Sequence, residues 1–346
     1  MPAISSGKVL VTGANGFVAA WVLQDLLEHG FSVRGTVRSE DKATYLRDHF
    51  ATYRDRFEIV VVSNMTAVRT LTAHDGACNE AVEGVDAILH LASPTDLNSN
   101  DPSAVINPAV EGTLSILNSA LKHRATVRRV VILSSAAAIF SPPRPEDAGT
   151  RVLDERDWNE VSPKEVQEKG GKASGSDIYR TSKTLAERAA WKLYEDAKAK
   201  GGLEWDLVTL NPPFVYGPVI HEVATLEGFG GTARMWYDHI VKGDLTGEAL
   251  TRNGYSYVDV RDLARAHVLA LIVPEAGGER FLICAGSCVM QQFVDAARQV
   301  TDKIPAGEPS YRKEDAGRKV LGLRYRSLEA TAADTIRDLE SRGWVP

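Results

Sequence analysis

Cysteine is scarce, with Cys78, Cys284 and Cys288 the only three in 346 residues. Three thiols build no disulfide framework. This excludes a small bridge-stapled secreted fold and makes a reducing, cytoplasmic setting the expectation. Cys284 and Cys288 have no second pair to complete a metal cage, and the eight histidines form no H-E-x-x-H pattern, so no metal site is expected. Uninterrupted apolar runs of about 18 residues are missing, which removes a bilayer-spanning helix. No apolar leader follows Met1-Pro-Ala-Ile-Ser-Ser-Gly-Lys, so a signal peptide is not expected. Positive charge is not in excess: 40 Lys and Arg against 46 Asp and Glu leave a net charge of −6, which argues against a nucleic-acid partner. A Walker loop and a G-x-S-x-G elbow are also missing, as are internal repeats, which sets aside P-loop NTPases, α/β-hydrolases and solenoids.

What is present is the make-up of an ordinary globular protein, 44% apolar and 25% charged, long enough for about two domains. Val/Ile/Leu-rich runs at Lys8–Thr12, Ser32–Val37, Phe57–Val62, Asp86–Leu91, Arg129–Ser134 and Asp206–Leu210 read as strands buried on both faces. Helical patterns lie between them at Gly16–His29, Lys42–Phe50, Ala104–His123 and Asp177–Lys200. This alternation predicts an α/β fold, a Rossmann-type doubly wound parallel sheet with right-handed crossovers. The rhythm breaks after 211. Residues 212–253 read as loop, Tyr255–Leu271 as a strand then a helix, Arg280–Cys284 as a strand, and Gln291–Thr301 and Leu328–Arg342 as helices. The division expected is a dinucleotide-binding domain of 1–211 plus 254–272, and a smaller α/β substrate domain of 212–253 plus 273–346.

Between the first strand and the first helix stands Val9-Leu-Val-Thr12-Gly13-Ala-Asn15-Gly16-Phe17-Val18-Ala19. Gly13 permits the tight turn and Gly16 a close approach of backbone to a pyrophosphate, which also meets the positive end of the helix. Ala19 takes the third, packing position. Thr12, Gly13, Asn15, Gly16, Phe17 and Val18 are therefore candidates for dinucleotide contact. The second strand ends Val33-Arg34-Gly35-Thr36-Val37-Arg38 without the carboxylate that an NAD ribose prefers. Arg38, with Lys42 nearby, suits the 2′-phosphate of NADP. Two solvated arginines followed by Glu40 and Asp41 are the plainer alternative.

Tyr179-Arg-Thr-Ser-Lys183 opens the long fourth helical stretch, and a spacing of four sets phenol and ammonium on one face. The cation is expected to lower the tyrosine pKa so that the phenol passes a proton to a developing alkoxide. Ten tyrosines make this spacing cheap, and Tyr194-Glu-Asp-Ala-Lys198 repeats it. That second pair falls about 22 Å along the helix, away from the strand ends where ligands bind, and reads as surface or packing. Ser134 and Ser135 end the fifth strand, where a hydroxyl can donate to a substrate oxygen or merely cap a turn.

Together, the glycine bend, the Ser135 strand end, Tyr179-x-x-x-Lys183, Asn211-Pro-Pro-Phe-Val-Tyr-Gly-Pro218 and Tyr257-Val-Asp-Val-Arg-Asp-Leu-Ala264 resemble the extended short-chain dehydrogenases/reductases. The likeness is to the branch of dihydroflavonol 4-reductases and yeast-type NADPH-dependent carbonyl reductases. The resemblance implies Ser135 as catalytic serine, Tyr179 as proton donor and Lys183 on the nicotinamide ribose. It also implies Asn64 and Met65 beside the adenine, Leu91, Ala92 and Ser93 along the dinucleotide, and Pro212, Pro213, Phe214 and Val215 at the nicotinamide amide. Ala109 stands where many members carry Asn, which speaks against a relay through that side chain. Phe140, Trp236 and Tyr255 are candidates to line an apolar substrate pocket, with plain core packing as the alternative. The activity implied is NADPH-dependent reduction of ketones and aldehydes by a monomer or homodimer. A dihydroflavonol- or cinnamoyl-CoA-reductase-like enzyme and a non-catalytic dinucleotide-sensing regulator are the alternatives.

Overall fold

The computed structural model describes residues 3–66, 77–94, 100–141, 152–251, 254–308 and 323–345. Among these are ten strands: β1 (Lys8–Thr12), β2 (Ser32–Val37), β3 (Phe57–Val61), β4 (Ala87–His90), β5 (Arg129–Leu133), β6 (Asp206–Asn211), β7 (Phe214–Tyr216), β8 (Tyr255–Asp259), β9 (Arg280–Leu282) and β10 (Gly286–Cys288). The chain divides into two compact units, 1–211 with His267–Leu282 and Pro212–Ala266 with 283–346.

The first unit is built on a seven-stranded sheet in the order β3-β2-β1-β4-β5-β6-β9, parallel at every pairing. Val9 aligns with Val33 on one side and Ala87 on the other. The order reverses between β1 and β4, and the carboxyl ends of the strands at such a switch are where open α/β sheets receive ligands. Val9, Leu10 and Val11, and Val130 and Val131, are fully buried, as continuous apolar runs in a two-sided sheet require. Six helices accompany this sheet: α1 (Phe17–Glu28), α2 (Asp41–His49), the single turn α3 (Asn79–Val82), α4 (Pro102–Lys122), α5 (Val161–Lys169) and α6 (Gly175–Lys200). Helix α6 starts at an N-cap, Ser174, whose hydroxyl accepts from Asp177 N at 3.0 Å, and stops at Gly201, φ 79°.

At the amino end of β5, fully buried Arg129 forks onto Asp206, Nε to Oδ1 at 2.6 Å and Nη2 to Oδ2 at 2.8 Å. Its Nη1 also donates to the carbonyls of Ala270 and Val273 at 2.7 and 2.6 Å. The guanidinium thereby satisfies orphan carbonyls at the end of helix α9 (Val260–Ile272), whose last turn belongs to this unit.

In the second unit β7 runs parallel to β8, and β10 antiparallel to β8. Helices α7 (Gly231–Trp236), α8 (Gly247–Thr251), α10 (Met290–Ala297) and α11 (Leu328–Ser341) complete it, with a π-helical turn at Tyr237–Lys242. Phe293 is the centre of its core, meeting Tyr216, Tyr257 and Trp236 edge-on at 5.3, 5.2 and 6.2 Å between ring centroids.

Three expectations change. Residues 212–253 are not simply loop: they hold β7, α7, the π-turn and α8. The segment returning to the first unit is His267–Leu282 rather than 254–272, because β8 pairs within the small sheet while β9 pairs with β6. Helix α6 begins at Gly175 rather than Asp177, and α5 precedes it, with Pro163 in the first turn where a missing N–H costs nothing.

Candidate active site

The bend after β1 explains its glycines. Gly13 has φ 68°, and a Cβ there would lie 3.0 Å from the Cα of Ala92. Gly16 is the N-cap of α1 and offers no side-chain cap, so the first turn of the helix lacks the usual side-chain acceptor. Ala19 is buried, in the packing position expected of it. Thr12 faces inward: its hydroxyl accepts from Leu91 N and Ala92 N, both at 3.0 Å, and lies 2.9 Å from His90 Nδ1. Two N–H donors leave the hydroxyl proton for Nδ1, which assigns His90 the Nε2–H tautomer. Burial, with Lys183 adding, pushes His90 down to about 3, so it is neutral.

At the end of β2 the two arginines part. Arg34 is engaged, with Nε on Glu58 at 2.8 Å and Nη1 on the carbonyls of Ala81 and Glu83. Arg38 is exposed and has no ion pair among the described residues. The carboxylates after it are occupied, Glu40 by Arg47 and Asp41 by Ser39 and, at 3.8 Å, by Lys42. Beyond β3, the side-chain Oδ1 of Asn64 accepts from Thr66 N at 2.9 Å, and Met65 packs partly into the core below. Leu91, Ala92 and Ser93 follow β4, half-buried. Ala109 is buried in α4, its carbonyl accepting from the Thr113 hydroxyl at 2.8 Å.

The two serines after β5 have different employment. Ser134 donates to the Glu187 carboxylate. Ser135 caps the 3-10 turn Ala136–Ala138, accepting from Ala137 N at 3.1 Å. A cap fixes its oxygen and leaves its proton to donate. Ser135 also stands beside the Tyr179 phenol. Burial raises the Tyr179 pKa above its ordinary value, and a hydrogen bond with Ser135 and then the charge of Arg180 pull it partly back. The expected net lowering is thus corrected: burial outweighs the charges, and the Lys183 ammonium sits 5.8 Å from the ring centroid. Burial also pushes Lys183 down, to about 8, with Glu187 acting upward. Lys183 is 7% exposed, and its ammonium makes no hydrogen bond among the described residues. The second pair, Tyr194 and Lys198, is structural. Tyr194 is buried against Trp205 at 5.6 Å and Trp191 at 5.9 Å, with the ammonium over its ring.

Pro212, Pro213, Phe214 and Val215 open the second unit, the last two in β7. Phe214 lies edge-on to Tyr255 at 5.5 Å. Trp236 is 1% exposed and packs in the core around Phe293. Phe140, in the first unit, lies under the Arg180 guanidinium at 5.7 Å. Four residues that spacing did not single out meet near Ser135: Glu187, Thr209, Asn211 and Arg280. Asn211 Nδ2 donates to the Ser135 carbonyl at 3.1 Å and to Glu187 at 2.7 Å.

A tight glycine bend, an uncapped helix end, an exposed arginine at the end of the neighbouring strand and a buried ammonium with no hydrogen bond among the described residues fit a phosphate-bearing dinucleotide. Comparison with known proteins agrees. The NAD dependent epimerase/dehydratase family matches residues 9–284. The chain belongs to this family. It is similar to the ketoreductase azaE of Aspergillus niger, 33% identical over 350 residues that cover 96% of this chain and 97% of that protein. It is equally similar to cinnamoyl-CoA reductase 1 of Petunia hybrida, 33% identical over 361 residues, 100% of this chain and 96% of that one. Among solved structures, yeast methylglyoxal/isovaleraldehyde reductase Gre2 complexed with NADPH superposes with a TM-score of 0.80 at 26% identity, covering 98% of this chain and 100% of that one. The chain is an NAD(P)-dependent reductase of the extended short-chain dehydrogenase/reductase type, as its motifs led one to expect. No helix among the described residues is long and apolar enough to cross a membrane.

Proposed function

We propose that the chain is an NADPH-dependent carbonyl reductase that converts ketones and aldehydes to alcohols. The observation that carries this reading is the Lys183 ammonium, buried one turn from Tyr179 with no hydrogen bond among the described residues. A cation is retained in such a place only if it has work there, since its burial is costly.

NADPH, when bound, supplies the hydride. The chain's own groups do the rest. Ser135, its oxygen held by Ala137 N–H, donates to the carbonyl oxygen and polarises it. Tyr179 gives its phenolic proton to the oxygen as negative charge develops there, and its raised pKa keeps it protonated at neutral pH until then. Lys183 stabilises the resulting phenolate and would hold the nicotinamide ribose. The phenolate is reprotonated from solvent. Gly13, Asn15, Gly16, Phe17 and Val18 would cradle the pyrophosphate, Arg38 the 2′-phosphate, and Asn64 and Met65 the adenine. The three thiols are free, which suits a reducing cytoplasm.

The test is NADPH consumption by the wild-type protein against β-keto esters, aryl ketones, α-dicarbonyls and dihydroflavonols. Multiple turnovers on at least one carbonyl are expected. Stoichiometric oxidation without turnover on any of them would sink the reading. The Petunia relative favours a second substrate class, an aromatic acyl-CoA thioester. Turnover of cinnamoyl-CoA with no turnover of simple ketones would select it.

A further inference from the structure

Beneath the serine pair lies one carboxylate with an unusual number of partners. Glu187 is 1% exposed on α6, one turn beyond Lys183. Its Oε1 accepts from Arg280 Nε at 2.6 Å, Thr209 Oγ1 at 3.2 Å and Trp191 Nε1 at 3.4 Å. Its Oε2 accepts from Ser134 Oγ and from Asn211 Nδ2 at 2.7 Å. These donors come from the ends of β5 and β6, from β9 and from α6 itself. All lie in the first unit. Five donors exhaust the acceptor capacity of a carboxylate, so the group is locked in place.

Two of those bonds lead straight to Ser135. Ser134 is its chain neighbour, and Asn211 uses the same amide nitrogen to hold the Ser135 carbonyl. A third arm, Arg280, binds the carbonyls of Glu155 and Asp157 and stacks 3.8 Å from the Trp158 ring centroid. That segment is continuous with Asn159, which ties back to the turn after Ser135 through Ala137 O at 2.9 Å. The carboxylate therefore fixes the serine from both sides. Spacing of four on the same helix also aligns its charge with the Lys183 ammonium.

We infer that Glu187 is a positioning residue of the reduction, which holds the Ser135 hydroxyl in place and supplies the negative charge that keeps Lys183 protonated. The inference rests on the Ser135–Tyr179–Lys183 reading. Among the described residues, Lys183 has beside it Tyr179 and Glu187 on its own helix and the neutral His90 at the end of β4. Glu187 itself is ion-paired with Arg280, Oε1 to Nε at 2.6 Å. A buried carboxylate kept merely for stability would leave the pH dependence of turnover where it is.

The alkaline limb of kcat belongs to the Tyr179–Lys183 pair, because the reduction needs both protons in place. Removing the neighbouring negative charge in Glu187→Gln moves that limb to lower pH by about one unit. With Lys183 at about 8, kcat falls about fivefold at pH 8 and less than about twofold from this cause at pH 6. Any displacement of Ser135 adds a loss that is the same at every pH. Glu187→Asp, which keeps the charge, restores the position of the limb. Binding of NADPH, followed by its fluorescence, changes less than about threefold, because none of the five hydrogen-bond donors on Glu187 is a candidate cofactor residue. Where Glu187→Gln does not fold, Glu187→Gln with Arg280→Met removes both charges and is read in its place. A folded variant whose alkaline limb coincides with that of wild type overturns the inference. Tyr179→Phe, assayed alongside, separates the two levels: turnover retained there overturns the underlying assignment instead.

Discussion

Replacing Lys183 by Met is predicted to remove turnover and yet stabilise the fold. Burial holds the folded ammonium at about 8 against an ordinary 10.5. The difference between these values corresponds to about 3 kcal/mol of cost at pH 7. Methionine has a similar length and carries no charge to desolvate. The lysine makes no hydrogen bond among the described residues, so its loss orphans no acceptor, and Glu187 keeps Arg280. The expected gain at pH 7 is about 2–3 kcal/mol, in the range measured when buried charges give way to apolar groups. Its pH dependence is the sharper test. Below pH 8 the folded lysine is fully charged and the whole cost is present. Between 8 and 10.5 the folded chain releases this proton before the unfolded chain does, so the wild type recovers stability as pH rises. The advantage of Lys183→Met should shrink by about 2 kcal/mol between pH 7 and 9.5. Urea unfolding of both proteins at pH 7 and 9.5 measures this, and titrations common to both cancel in the difference. A destabilised variant, or an advantage that does not change with pH, would refute the argument that the ammonium is held at a cost for its chemistry.

Other outcomes follow from the same contacts. Arg38→Asp removes a charge-assisted contact and adds repulsion, so the ratio of kcat/KM with NADPH to that with NADH should fall about 10- to 100-fold, and an unchanged ratio would remove Arg38 from the 2′-phosphate site. Arg129→Met leaves Asp206 buried without its partner and should cost about 3–5 kcal/mol in denaturant unfolding; a cost below about 1 kcal/mol would show that the fork matters little. Gly277→Ala would set a Cβ 2.0 Å from Asp206 Oδ2, inside van der Waals contact with the same fork, and is predicted to lose about 1–3 kcal/mol. Retention of the wild-type midpoint would mean that this corner of the sheet yields more readily than its burial suggests.

Much of the first unit was legible because its physics is local. Strands buried on both faces leave uninterrupted runs such as Val9-Leu-Val, and the helical pattern from Asp177 begins within one turn of the observed start of α6. The glycine bend declares itself through a backbone that only glycine relaxes, at Gly13. Residues 212–253 were opaque because β7 is three residues long and its neighbouring helices are short, so neither periodicity runs long enough to register. The partner of a strand is not written in the strand itself. Nothing in Arg280–Leu282 tells that it pairs with β6. At the site, spacing picked out Tyr179 and Lys183, but burial decided the direction of the tyrosine's pKa, and burial is a property of the folded chain. Glu187 was silent for the same reason. Its donors lie at 134, 191, 209, 211 and 280, and only the assembled sheet brings them to one carboxylate.

Proton donation by Tyr179 is the centre of the account, and Tyr179→Phe tests it most directly. NADPH oxidation should be measured with the best carbonyl substrate of the panel, together with NADPH binding by fluorescence. The account predicts a kcat lower by about 10²–10⁴-fold with binding nearly unchanged, the range a positioned acid contributes. A variant that binds NADPH and turns over at close to the wild-type rate would contradict it.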